Sequence, residues 1–377
     1  MNQRLRSLQT YPMVKLDQRK AELQARGIEV HDFGTGDPRE PTPAAIREAF
    51  RAAAPAVSQY PPVAGRAPMR KAAAGYVQRR FGVTLDPDLE ILPTQGAKEA
   101  IFHLPMVLVE IPSEKDLVVY GVPAYPVFEI GALFAEAWTY EVPLHAGNRY
   151  LMDPDDLPRD ALRRARVVFL NYPHNPTGQC LPAELFRKWV RARDEWGFVL
   201  VSDECYVDLW YDQPPHSLLE FGREGCLVVH SLSKRSGMTG YRSGFVAGDA
   251  GLLATYRRFR AGMGVAPTDM VQAAAEVAWA DPGHVEERRK IFAAKRAVLV
   301  EHFGRIGLEV FPGTATLFLW VRVPAGTTDQ EYAERLLERG ILVSPGSFFG
   351  KGQEAWFRLA LVPSLEECRA ACAKWPT

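Results

Sequence analysis

Three segments of this chain end apolar runs with side chains able to do chemistry. Asn171-Tyr-Pro-His-Asn175-Pro-Thr-Gly178 follows Val167–Leu170, and Asp203-Glu-Cys-Tyr206 follows Phe198–Ser202. Ser231-Leu-Ser-Lys234 follows Leu227–His230, with Tyr241-Arg242 close behind. A lysine in such a place offers an amine nucleophile, provided its surroundings let it shed a proton. Partial desolvation and a nearby cation, for which Arg242 is in range, promote that loss. Arg358, in Trp356-Phe-Arg358-Leu-Ala, lies inside an apolar run, where a guanidinium is costly unless paired. Its planar fork can grip both oxygens of a carboxylate. Gly96-Ala97-Lys98 follows Ile91–Leu92 and opens the helical stretch Glu99–Leu108, and N–H groups at such a start suit a phosphate. Each feature alone has a blander reading, since a strand-end Asp often caps a helix and a lone Lys is usually solvated. Their joint arrival at one place argues for chemistry.

The elements that would bring them together are short apolar runs alternating with amphipathic stretches. Asp116–Tyr120, Val167–Leu170, Phe198–Ser202, Leu227–His230 and Gly244–Ala247 read as strands. Pro158–Ala165 and Pro182–Trp196 between them carry the charged, periodic pattern of exposed helices. This alternation predicts an α/β fold with a largely parallel sheet covered on both faces. Ligands then sit beyond the carboxyl ends of the strands, where the segments above begin. A helix over His284–Phe303, an apolar run Leu317–Val323, a helix over Asp329–Arg339 and the run Ile341–Val343 suggest a smaller α+β unit. The expected division is 1–45 as a segment joining the small domain, 46–283 as the large domain and 284–377 as the small one.

The composition narrows the partners. In 377 residues, 45 Lys and Arg balance 45 Asp and Glu, so no global charge draws the chain toward nucleic acid or a membrane surface. The first residues lack the apolar stretch of a signal peptide, and no run approaches the roughly 18 residues that span a bilayer. Five cysteines without a CxxC pair fit a reduced, cytoplasmic setting. Cys368 and Cys372 read as small core residues on a helix face, and the eight histidines show no metal-ligand spacing. His103 and His230 read as packed polar residues. No metal and no DNA-binding module is expected; a small molecule is.

The order and wording of Asn171–Gly178, Asp203–Tyr206 and Ser231–Gly244 (SLSKRSGMTGYRSG) resemble the class I/II aminotransferases of the fold type I pyridoxal-phosphate enzymes. The resemblance runs from about Asp32 to Leu361. It implies that Lys234 holds pyridoxal 5'-phosphate as a Schiff base, then shuttles a proton once substrate displaces it. It also implies that Asp203 pairs with the pyridine nitrogen and that Tyr206 and Asn175 bond the phenolic oxygen. By the same likeness Ala97, Lys98, Ser231, Ser233 and Arg242 hold the phosphate, and Tyr125 stacks on the ring. Arg358, with Gly36 and Asn175, binds the substrate carboxylate. Tyr60, in Ser58-Gln-Tyr60-Pro-Pro, resembles the tyrosine that reaches the neighbouring subunit's phosphate, which implies a homodimer with shared sites.

For the substrate, Leu317-Phe-Leu-Trp320 and Gly340–Gly350 resemble the N-succinyldiaminopimelate aminotransferase branch of lysine biosynthesis. The expected partners are an amino acid and a 2-oxo acid, with glutamate/2-oxoglutarate as one pair. Alternatives are an aspartate or broad-specificity aminotransferase, or a β-lyase using the same cofactor. Pro38-Arg39-Glu40 stands where many relatives carry Pro-Asp-Phe, and Cys205 replaces a more usual aliphatic residue. Arg39, Arg66 and Arg149 are candidates for a substrate's distal carboxylate.

Overall fold

Most strands form where β-branched and apolar residues run uninterrupted, with both faces buried. In the computed structural model, which describes residues 12–376, the strands are β1 (His31–Asp32), β2 (Ile91–Thr94), β3 (Leu117–Val122), β4 (Trp138–Pro143), β5 (Ala165–Asn171) and β6 (Val199–Asp203). They continue as β7 (Cys226–Ser231), β8 (Gly244–Gly248), β9 (Phe318–Arg322), β10 (Ile341–Leu342), β11 (Ser344–Pro345) and β12 (Trp356–Ala360). The central sheet has seven strands in the order β2-β8-β7-β6-β5-β3-β4. β4, β3, β5, β6 and β7 run parallel. Alternation sends Val119, Val168, Leu200 and Val228 to one face and Val118, Phe169, Val201 and Val229 to the other, each into its own core cluster. Two buried faces explain why these strands read as continuous apolar runs.

The sheet departs from the parallel pattern at β8, which is antiparallel to both β7 and β2. No long crossover helix separates β7 from β8; only the one-turn helix Leu232–Arg235 and a loop intervene. That short connection is where Lys234 sits.

A smaller unit packs the antiparallel sheet β11-β12-β9 against the helices Gly283–Arg305, Asp329–Leu337 and Leu365–Lys374. Its core joins Phe357, Leu359, Leu319 and Val321 to Phe292, Leu299, Leu336 and Trp375. β1, from near the start of the described chain, pairs in parallel with β10. Phe33 joins the same core, so residues just before Gly36 belong physically with the C-terminal elements. Cys368 is buried there, its thiol directed at the Pro363 carbonyl 3.8 Å away. No helix among the described residues is long and apolar enough to cross a membrane.

One buried ion-pair cluster braces the site from beneath. Asp208 accepts from Arg235 Nε at 2.7 Å and from Arg80 Nε at 3.1 Å. Arg235 also donates to the Ala278 carbonyl at 2.7 Å, and its guanidinium lies 5.0 Å from the ring centres of both Tyr76 and Trp279. Burial raises the Asp208 carboxyl, but the two arginines outweigh it and hold the group below its ordinary range. Because Asp208 lies two residues past Tyr206 and Arg235 adjoins Lys234, the cluster fixes two parts of the site together. Removing one partner leaves buried charge uncompensated, so Asp208→Ala should lower the free energy of unfolding by about 3–5 kcal/mol. Denaturant unfolding measures this; a loss under about 1 kcal/mol would show that the arginines are held by other means.

Candidate active site

The site begins with strand ends in register. Asn171 closes β5, Asp203 closes β6 and Ser231 closes β7, with Asn171 opposite Asp203 and Asp203 opposite Val229. Ser231 is also the N-cap of the Lys234 turn, its hydroxyl oxygen accepting the Ser233 N–H at 3.1 Å. Capping ends the strand and starts the helix within one residue, which turns the lysine toward the rim.

Asp203 is buried, and its Oδ1 accepts the Cys205 N–H at 3.2 Å. Burial pushes its carboxyl up to about 6, partly offset by hydrogen bonds from Cys205. A carboxylate in that state favours a cationic N–H partner. Lys234 is pulled the opposite way. Burial is the main cause lowering its ammonium to about 8, with Arg358 and then Arg242 adding to it, while Asp37 opposes. The cation expected from sequence, Arg242, therefore contributes less than burial and less than Arg358. Relative to an ordinary lysine at 10.5, a much larger fraction is amine at neutral pH. The amine donates to the carbonyl of Gly36. Gly36 fits closely here, since a Cβ would lie 3.0 Å from the Phe318 ring and press on it.

Arg358 reaches the same rim from β12. It donates through Nη1 to Asn175 Oδ1 at 3.1 Å and through Nη2 to the Gly34 carbonyl at 2.7 Å and Ser344 Oγ at 3.4 Å. Its guanidinium is sandwiched between Phe318 and Phe349, 4.3 and 4.7 Å from the ring centres. These aromatic faces and polar contacts make a buried arginine tolerable and leave its plane fixed. Tyr206 is buried edge-on against Phe318 with ring centres 5.4 Å apart, and burial raises its phenol well above the ordinary range.

The helix start expected to hold an anion is that of Ala97–Leu108. Its N-cap Gly96 has φ +83°, and a Cβ there would fall 2.9 Å from Arg242 Nη2, so glycine is needed for this approach. Arg242 is itself held in the left-handed region at φ 55° and donates to the carbonyls of Thr239 at 3.0 Å and Gln95 at 3.3 Å. Lys98 Nζ lies 5.2 Å from the centre of the Tyr125 ring. His174 links the Asn175 motif to the Tyr125 segment: Nε2 donates to the Pro123 carbonyl at 3.0 Å, and Nδ1 is 2.8 Å from Thr177 Oγ1. Burial lowers His174 to about 4, so it is neutral scaffolding. His230, lowered by burial to about 3, packs against Phe245 with ring centres 4.9 Å apart. His103 lies 3.3 Å from the Tyr256 hydroxyl.

One chain thus brings Asn175, Asp203, Tyr206, Lys234 and Arg358 together, with Gly36 against Lys234 and with Ala97, Lys98, Tyr125 and Arg242 around the helix start. Ser231 and Ser233 stand at the Lys234 turn. Tyr60 is different: within the single chain it is fully exposed, at 101 %. Sequence reasoning did not find the aromatic walls Phe318 and Phe349, nor Ser344, Gly34 and Asp37. Phe318, Ser344 and Phe349 lie in segments singled out by likeness, but nothing in their spacing marks a sandwich. Two of the three distal-carboxylate candidates have partners within the chain. Arg39 pairs with Glu367 at 3.1 Å, Arg66 donates to the Asp269 carbonyl at 3.3 Å, and Arg149 ends a one-turn helix in the left-handed conformation.

The donor set fits pyridoxal phosphate: a half-buried lysine whose proton is more easily lost than usual, a buried carboxylate with no cationic partner among the described residues, and a helix start beside an arginine. In the cofactor-free protein, labelling of Lys234 by a small aldehyde and borohydride should rise through pH about 8, below the range of exposed lysines. Mass spectrometry of competitively labelled peptides measures this. Labelling of Lys234 in step with surface lysines would contradict the account of its burial.

A family model for aminotransferase class I and II matches residues 28–374. The chain is 36 % identical to LL-diaminopimelate aminotransferase from Aquifex aeolicus, covering 98 % of this chain and 97 % of that protein. Among solved structures it resembles a probable N-succinyldiaminopimelate aminotransferase from Thermus thermophilus, at 30 % identity and TM-score 0.89, covering 96 % and 98 % of the two chains. The aspartate aminotransferase from Thermus thermophilus with maleate is similar at 27 % identity and TM-score 0.91, covering 99 % and 98 %. With the family match spanning nearly the whole chain, the protein belongs to the class I and II aminotransferases of fold type I and is a pyridoxal-phosphate-dependent transaminase.

Proposed function

We propose that this transaminase acts on a diaminopimelate-class amino acid, free or N-succinylated, with glutamate/2-oxoglutarate as the second pair. The observation that carries the α-amino acid part is the meeting of the Lys234 amine, the Asp203 carboxylate and the Arg358–Asn175 pair at one buried rim. The diaminopimelate part is supported by the curated relatives of that name, which match nearly the whole chain, and by the Thermus neighbour.

When bound, pyridoxal phosphate supplies an electrophilic carbon and an electron-withdrawing ring. The N–H groups of Ala97 and Lys98, the hydroxyls of Ser231 and Ser233 and the Arg242 guanidinium would hold its phosphate. Asp203 would accept from the ring N–H and keep that proton in place, and burial strengthens the pairing. Tyr206 and Asn175 would donate to the ring oxygen, while Tyr125 covers a ring face. Lys234 would anchor the cofactor until a substrate amine takes its place. Its freed amine, already inclined to lose its proton, would then take up the proton from the substrate Cα on its own nitrogen. Arg358 would take the substrate α-carboxylate with Asn175, exchanging its present carbonyl contact for a charged one. Gly36 would meet the same carboxylate through its backbone. Tyr60, exposed in one chain, would complete the phosphate site of a second copy in a homodimer.

The test is a half-reaction with single amino acids added to the holoenzyme. LL-diaminopimelate or its N-succinyl form, and glutamate, should each convert the cofactor's lysine-bound absorbance to that of its amine form, one equivalent per site. Conversion by aspartate with no response to either diaminopimelate would instead assign the aspartate reading. Release of pyruvate and ammonia from a cystathionine-like amino acid, with its β-thiolate as leaving group and no conversion of the cofactor, would mark a β-lyase.

A further inference from the structure

Beside the phosphate cradle lies a buried ion pair that the chemistry above does not use. Glu99 is in the first turn of the helix Ala97–Leu108, one residue past Lys98. Its carboxylate accepts the Gln95 N–H at 2.6 Å, Arg260 Nε at 2.6 Å and the Tyr256 hydroxyl at 3.2 Å. Arg260, from the helix Ala250–Met263, is 0 % exposed. Its Nη1 reaches the Val63 carbonyl at 3.4 Å, three residues from Tyr60. Gln95 faces both ways, because its carbonyl accepts from the phosphate arginine Arg242 at 3.3 Å while its N–H is held by Glu99.

A carboxylate in a helix's first turn suits the helix dipole but competes with a phosphate that must use the same end. A buried ion pair is also a poor way to gain stability, since the desolvation cost offsets much of the attraction. Both objections vanish if the pair serves the cradle. We infer that Arg260 and Glu99 are positioning residues for the cofactor phosphate: Glu99 fixes the Gln95 turn that carries the helix start and Arg242. Arg260 cancels the Glu99 charge that would otherwise repel the phosphate, and it ties the cradle to the loop bearing Tyr60. This inference rests on the pyridoxal-phosphate reading of the site.

A merely structural pair and a charge-cancelling pair differ in sign. The test titrates cofactor-free wild type, Arg260→Met, Glu99→Gln and the double variant with pyridoxal phosphate and with pyridoxal, following absorbance, with thermal unfolding alongside. Arg260→Met should weaken pyridoxal phosphate about tenfold and pyridoxal far less, because it leaves an uncompensated anion near the phosphate. Glu99→Gln removes the anion and keeps one acceptor oxygen, which serves either Gln95 or Arg260, and with the Arg260 charge left in place it should tighten pyridoxal phosphate severalfold. The double variant should fall between them, near wild type. If Arg260→Met does not fold, Glu99→Gln decides alone: a phosphate-selective gain supports the inference, and no gain overturns it. Parallel losses for both ligands in both single variants would also overturn it. Wild type that fails to take up pyridoxal phosphate would overturn the cofactor reading and this inference with it, whereas lost selectivity in the variants overturns only the inference.

Discussion

The desolvation of the Lys234 amine is the constraint on which the rest of the structure depends. An exposed lysine is almost wholly protonated at neutral pH and cannot act as a nucleophile. Burial alone would ease loss of the proton but would also leave a flexible chain in an apolar pocket. The fold answers both needs by placing the lysine on a one-turn helix between antiparallel β7 and β8, capped by Ser231 and braced through Arg235 on Asp208. Asp203 is buried too, and burial shifts each group toward its neutral form. A cofactor that offers Asp203 a cation and takes the Lys234 nitrogen covalently relieves both.

Arg358 shows the same logic from the opposite wall. Its charge helps to depress Lys234, so the group proposed to bind the substrate also prepares the nucleophile. The Phe318 and Phe349 rings hold the guanidinium plane, and its hydrogen bonds to Gly34 and Asn175 keep it aimed at the rim. Because Gly34 and Gly36 belong to the segment that follows β1, and β1 pairs with β10, the early chain and the C-terminal unit meet at the same site.

Much of this was legible in the sequence because parallel strands send their carboxyl ends to one rim. A residue type at the end of each apolar run therefore reports position as well as chemistry. Direction was not legible in the same way: Gly244–Ala247 reads as one more short apolar run, and only its pairing shows it to be antiparallel. The edge strand β4 escaped notice because Trp138, Thr139 and Glu141 are exposed and break the apolar pattern. Arg39, conspicuous beside Gly36 in the chain, turns outward to Glu367, since adjacency in sequence does not set side-chain direction. The aromatic sandwich on Arg358 joins residues far apart in sequence, and no local spacing could reveal it.

The central claim is that the covalent chemistry of this protein belongs to Lys234. Borohydride reduction of the holoenzyme followed by peptide mapping tests it most directly. The account predicts that the yellow absorbance disappears and that the pyridoxyl label is found on Lys234 alone, one per chain. A label on Lys98 or another lysine, with Lys234 unmodified, would contradict it.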